Sequence, residues 1–329
     1  MGVQYPYIDL HCDTLNYAWQ HHAEDIWQLE GSMTDVVRNR AGGCTLQLYA
    51  VFMPCDADIE RYTRDYPGDE AYIAALHGIW QRTLDAHGDV IAQALSMSDA
   101  EENAKNGRIS GMLSMEDGRA VQGSFENIRR FYDMGFRMMN LTWNFANCFG
   151  APNSEDPAVM AQGLTDFGKE AIGYMNDLGM IVDVSHLSDG GFRDVAQLSR
   201  KPFIASHSNC RALNPHPRSM TDDMIRVLAD KGGIMGVNFY PPFLSEDVRK
   251  NDMTIDDISR QLRHRINTGG LECAAVGTDF DGISGELEVP SSDRMPWFFD
   301  ALKKRGFTSD ELDHICRKNA ERFFRETLG

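Results

Sequence analysis

The chain has 329 residues, 42% hydrophobic and 25% charged, which suits a globular protein with a sizeable core. Its 32 Lys and Arg against 49 Asp and Glu leave a net charge of −17. Such a field repels phosphate backbones and anionic lipid, so neither nucleic acid nor membrane is expected as a partner. No run approaches the roughly 18 apolar residues of a membrane span. Residues 1–13 lack the basic and apolar regions of a signal peptide, so a cytoplasmic protein is expected.

Short apolar segments alternate with helical patterns along the chain. Strands are expected at 7–11, 45–52, 109–115, 136–141, 180–184, 202–205, 233–239 and 273–278. Helices are expected at 69–86, 125–134, 164–178, 188–198, 221–229 and 254–268, with Ser188, Thr221 and Thr254 as N-caps. Eight strand–helix units without a linker predict an α/β fold, a (β/α)8 TIM barrel, as one domain over 1–329. Helices beyond about Arg294 would pack against it. A further candidate strand at 91–94 leaves the register open by one unit. The competing doubly wound sheet lacks its GxGxxG signature.

The seven cysteines (Cys12, Cys44, Cys55, Cys148, Cys210, Cys273 and Cys316) are scattered, and no two form CxxC. Reduced thiols are expected rather than disulfides or a thiolate metal site. Cys12, between His11 and Asp13, should point away from both.

Barrel chemistry sits at the C-terminal ends of strands. Here one strand ends in His11-Cys12-Asp13, another in Glu116-Asp117, two in Ser185-His186 and Ser206-His207, and the last in Asp279-Phe280-Asp281. Alternation places His11 and Asp13 on one face. Three histidines and two carboxylates at converging strand ends suit a borderline divalent ion, zinc above all. His216, in Asn214-Pro215-His216-Pro217-Arg218, is a candidate for the periphery of the site. His264 is expected to be a structural hydrogen-bond donor, and His21, His22, His77, His87 and His314 to lie at the surface.

In this order the motifs resemble those of the membrane dipeptidase (renal dipeptidase) family of zinc peptidases. They are His11-Cys12-Asp13, Ser114-Met115-Glu116-Asp117-Gly118, Val182-Asp183-Val184-Ser185-His186, Ser206-His207-Ser208, His216-Pro217-Arg218 and Thr278-Asp279-Phe280-Asp281-Gly282. The resemblance spans essentially the whole chain and implies a barrel of the metal-dependent amidohydrolase type with two zinc ions. Carried over by motif, His11 and Asp13 bind one zinc, His186 and His207 the other, and Glu116 bridges both. Arg218 then holds the substrate's C-terminal carboxylate and Asp279 is the acid/base. Mammalian members carry an oxyanion-stabilising histidine in the segment Leu141-Thr142-Trp143-Asn144. Here Trp143 stands in its place, so Trp143, Asn144, Asn147 or zinc takes that task. The family's lipid anchor is not carried over.

The resemblance implies hydrolysis of dipeptides with a free C-terminus by a metal-bridging hydroxide, Asp279 passing the proton to the leaving amine. A homodimer is admissible. Two other readings remain open: a binuclear amidohydrolase acting on N-acyl amino acids, cyclic amides or lactones, and a metal-binding protein without catalysis.

Overall fold

The computed structural model describes residues 5–54, 66–247 and 249–328. Eight parallel strands close into a barrel: β1 (Tyr7–Cys12), β2 (Cys44–Phe52), β3 (Ile109–Glu116), β4 (Phe136–Asn140), β5 (Ile181–Asp183), β6 (Ile204–Ala205), β7 (Ile234–Val237) and β8 (Ala274–Val276). Each pairs with the next in chain order, and β8 returns to β1 through Asp9 and Val276. The segment at 91–94 does form a strand, Ile91–Gln93, but it pairs only with the first residues of β3 and stays outside the eight. The register left open by one unit is settled: the barrel is the (β/α)8 architecture expected.

The expected helix caps form. Ser188, Thr221 and Thr254 each accept a backbone N–H three residues on, from Gly191, Met224 and Asp257, and Asp257 completes a capping box. The helices Asp189–Leu198, Asp222–Asp230 and Ile255–Gly269 therefore begin one residue after their caps. Helices that the sequence pattern did not single out span Thr14–Gln20, Val36–Gly42, Met97–Lys105 and Pro157–Met160.

Two apolar clusters divide the interior. One lies between the sheet and its helices. The other takes one or two side chains from every strand, among them Leu48, Met112, Ile181 and Ile234, and is joined by Phe323 and Phe324 of the last helix, Asn319–Leu328. That cluster fills the barrel below the polar strand ends. Among the described residues no helix is long and apolar enough to cross a membrane. Six cysteines are free thiols, as expected, all but Cys148 buried; Cys55 lies outside the described residues.

Candidate metal centre and cavity

Five strands deliver their polar ends to one place. His11 and Asp13 come from β1 and the turn after it, and Glu116 is the last residue of β3. His186 and His207 follow β5 and β6, and Asp279 follows β8. Cys12 turns away as alternation requires, its thiol on the Leu48 carbonyl at 3.5 Å.

Two sets of potential ligands share Glu116: His11, Asp13 and Glu116, and Glu116, His186 and His207. Asp279 forms a third set with His11 and His207, and within each set the ligand atoms lie within 4.8 Å of one another. Glu116 Oε2 is 3.4 Å from His11 Nε2, and Oε1 is 3.1 Å from His186 Nε2 and 3.5 Å from His207 Nε2. The carboxylate thus faces one half-site with each oxygen. Asp13 Oδ2 and Asp279 Oδ1 lie 3.6 and 3.7 Å from His11 Nε2.

The imidazole hydrogen bonds decide what this cluster can hold. His186 Nδ1 lies 3.2 Å from Asn144 Oδ1, an acceptor, so Nδ1 carries the proton and Nε2 the lone pair. His207 Nδ1 lies 2.7 Å from Ser206 Oγ, and that hydroxyl donates to Asp183. It can only accept from the ring. Both Nε2 lone pairs then face each other across 3.1 Å. Neither His11 ring nitrogen has a hydrogen-bond partner among the described residues, nor does Asp13 Oδ1. Buried without a hydrogen bond and ringed by carboxylates, these atoms suit a bound cation. Imidazole nitrogen with carboxylate oxygen is the donor set of a borderline divalent ion.

Electrostatics agree. In the metal-free chain burial works to raise the Glu116 pKa, yet His11, His186 and His207 hold it well below the usual range. Burial works to lower that of His11, but Glu116 and Asp13 raise it well above the ordinary value. Burial, with Glu116 adding, pushes Asp13 up to about 6. Asp279 is pushed up to about 7, by burial first, with His11 opposing and Asp13 and Glu116 adding. Burial and Arg218 hold His186 down at about 3. The site concentrates more carboxylate than its cations balance.

Backbone strain collects here as well. Asp117, His186, Asp279 and Asp281 have φ of 76°, 71°, 64° and 68°, four of the six non-glycine residues with positive φ among those described. Each such residue costs about 1–3 kcal/mol and needs its surroundings to hold it. The His186 carbonyl is held by the Asn153 N–H at 2.7 Å, the Asn153 amide at 3.0 Å and the Thr142 hydroxyl at 3.2 Å.

A cavity of about 710 Å³ opens over the cluster. Phe52, Trp143, Asn144, Arg218, Tyr240 and Phe243 are among the residues that line it. Arg218 is buried and donates to Ser208 Oγ and the His207 carbonyl, both at 2.8 Å, while its Nε has no partner among the described residues. His216 also lines the cavity and accepts the Arg218 N–H on Nδ1 at 3.1 Å. Trp143 is buried edge-to-face on Phe52, with ring centroids 4.8 Å apart and 6.2 Å from His186. Asn144 reaches both the cavity and His186. Asn147 instead turns to Asp117 and the Leu141 carbonyl, at 2.6 and 2.8 Å. His264 pairs with Asp222 at 2.8 Å. His21, His22, His77, His87 and His314 do not line the cavity.

Four residues that shape the centre were not singled out by the sequence. Asn238, after β7, donates to Asp279 Oδ2 at 2.7 Å. A Cβ at Gly282 would collide with the carboxylates of Asp13 and Asp279. Asp183 and Gly282 stand inside the quoted motifs and Asp9 two residues before His11, but nothing local said that the two aspartates bind neighbouring strands rather than metal; Asn238 had no motif at all.

A family model described as membrane dipeptidase, peptidase family M19, matches residues 1–328. An uncharacterized protein of Klebsiella pneumoniae from the pqqA 5' region is 33% identical over 266 residues, 77% of this chain and 95% of that protein. An uncharacterized dipeptidase of Schizosaccharomyces pombe is 28% identical over 99% of this chain and 81% of its own. Among solved structures, a dipeptidase of metallopeptidase family M19 superposes with a TM-score of 0.88 at 25% identity, covering 99% of each chain. A metallopeptidase from Rhodobacter sphaeroides, liganded with a phosphinate mimic of L-Ala-D-Ala, shares the fold with a TM-score of 0.87 at 24% identity, covering 98% of this chain and 99% of its own.

Proposed function

The chain belongs to the membrane dipeptidase family and is a metal-dependent peptidase, a hydrolase of peptide bonds; on that footing we propose that it is a two-zinc dipeptidase acting on dipeptides with a free C-terminal carboxylate. His11 and Asp13 would hold one zinc, His186 and His207 the other, and Glu116 would serve both. The observation that carries this reading is the division of Glu116, one oxygen toward each set of ligands. Zinc bound there supplies Lewis acidity, which lowers the pKa of water and polarises a carbonyl.

The chain's own residues supply the rest. Asp279, with Oδ2 held by Asn238 and Oδ1 toward His11, is placed to take a proton from the attacking water and hand it to the leaving amine. Arg218 lines the cavity with two N–H groups committed to Ser208 and His207, which fix the guanidinium, and the second N–H on each of those nitrogens would be offered to a carboxylate. With the carboxylate fixed there and the scissile carbonyl at the ligand cluster, a short substrate fits the cavity. Trp143 and Asn144 also line the cavity and would be the side chains to meet the carbonyl oxygen as it develops charge.

The test combines metal content with a substrate panel. Active protein should carry two zinc equivalents by elemental analysis and lose activity on chelation, and it should cleave dipeptides in preference to N-acyl amino acids. Arg218→Ala should raise KM for dipeptides by an amount equivalent to about 2–5 kcal/mol with unchanged zinc content. A dipeptide amide should bind wild type poorly and discriminate little between the two proteins. Activity without a transition metal would overturn the metal reading, and equal losses on both substrates would make Arg218 structural.

A further inference from the structure

Two buried aspartates that take no part in the steps above occupy matching environments. Asp9, in β1, receives on Oδ1 the N–H groups of His11 at 3.4 Å and Thr278 at 2.9 Å, and on Oδ2 the Thr278 hydroxyl at 2.7 Å. Asp183, in β5, receives on Oδ1 the N–H groups of Ser185 at 2.9 Å and Ser206 at 3.1 Å, and on Oδ2 the Ser206 hydroxyl. The pattern is the same. Each aspartate takes the N–H two residues ahead and the N–H plus hydroxyl at the end of the neighbouring strand. Asp9 ties β1 to β8, and Asp183 ties β5 to β6. Each tie ends one residue before a member of the cluster, Thr278 before Asp279 and Ser206 before His207. Both carboxylates are fully buried, where only the donors aimed at them replace water.

The ties differ in reach. From Asp183 the chain continues through Ser206 Oγ to His207 Nδ1, 2.7 Å away. From Asp9 it stops at the backbone, and the His11 ring nitrogens receive nothing from it.

We propose that Asp9 and Asp183 are paired positioning residues, one for each half of the metal centre, and that Asp183, acting through Ser206, selects the tautomer of His207 that can bind a metal. The proposal deepens the metal reading above and rests on it for its consequence in affinity, though not for the tautomer itself. The two N–H groups aimed at Oδ1 keep an oxygen there in Asp183→Asn, so the new amide nitrogen takes the place of Oδ2. It donates to Ser206 Oγ, whose hydrogen then turns to His207 Nδ1. The ring proton moves to Nε2 and occupies the lone pair a metal would use. Ser206→Ala breaks the relay but leaves both N–H bonds to Asp183 in place, so it remains informative if Asp183→Asn does not fold.

Nitrogen NMR of histidine-labelled protein reads both parts. In the metal-free wild type, His207 should carry its proton on Nδ1; in Asp183→Asn it should carry it on Nε2. Zinc titration of Asp183→Asn, followed by the ring shifts of His186 and His207, should show that half weakened by about 10–100-fold, with the His11 half filling normally. Ser206→Ala should weaken the same half by less. Asp9→Asn should leave the His207 tautomer alone and weaken the His11 half. An unchanged tautomer in Asp183→Asn, or equal weakening of both halves in both aspartate variants, would overturn the proposal. A wild type with the expected tautomer that takes up no zinc would overturn the metal reading and leave the relay standing.

Discussion

Asp279 shows what one side chain owes to its neighbours. Asn238 grips Oδ2, Gly282 leaves room for the carboxylate, and burial raises its pKa to about 7 in the metal-free chain. A carboxyl poised near neutrality suits proton exchange. Asp279→Asn keeps the shape and removes the proton acceptor, so kcat should fall by at least about 10²-fold with zinc still bound. Asp281 is the control. Its carboxylate is taken up by the Thr14 and Ser32 hydroxyls and the Met33 N–H, so Asp281→Asn should lower stability before it lowers turnover. Turnover near wild type in zinc-loaded Asp279→Asn would assign the proton to another residue. The residues of the cluster were legible because HxD and the strand-end histidines are local patterns. Asn238 was not, because its role depends on β7 lying beside β8.

At the scale of elements, the first three strands run one residue longer than expected and the later five are shorter than their apolar runs suggest. The segment expected at 180–184 is a strand only at Ile181–Asp183, and that at 202–205 only at Ile204–Ala205. Pro202 has no N–H to give a ladder, and past the end of each strand the N–H groups of Ser185 and Ser206 bond the Asp183 side chain instead of a strand partner. The caps, by contrast, were legible, since a cap is settled within four residues. Close strand packing beneath the centre gives a second prediction. A Cβ on Gly236, in β7, would collide with the Ser206 carbonyl oxygen, as would one on Gly277. Gly236→Ala should therefore destabilise by about 1–3 kcal/mol or more, read as an earlier denaturation midpoint. Because Ser206 would have to move, zinc bound by His207 should weaken too. An unchanged midpoint would mean that β6 yields freely.

For the whole molecule, metal and protons are linked. Glu116 and Asp13 raise His11 above the ordinary imidazole value, so a metal bound there competes with a proton. Asp279 at about 7 and Asp13 at about 6 add to the release as pH falls. The sign follows: apparent affinity drops on acidification, about tenfold per pH unit for each proton displaced, and steepens below pH 7. Calorimetric titration in buffers of different ionisation enthalpy should show protons released on binding, more of them as pH falls from 7. Heats independent of the buffer would contradict this charge assignment. Binding should also stabilise the fold, by about 2.7 kcal/mol per site at a hundredfold excess over Kd. The sequence by itself determined the alternation of strands and helices, the caps and the polar residues at the strand ends, because each depends on residues a few positions apart. Tertiary structure alone decided that Ile91–Gln93 stays outside the barrel, that Glu116 turns one oxygen to each half, and that Asp9 and Asp183 clip neighbouring strands. Those facts rest on contacts between residues as far apart as Asp9 and Thr278, which meet only when the last strand closes on the first.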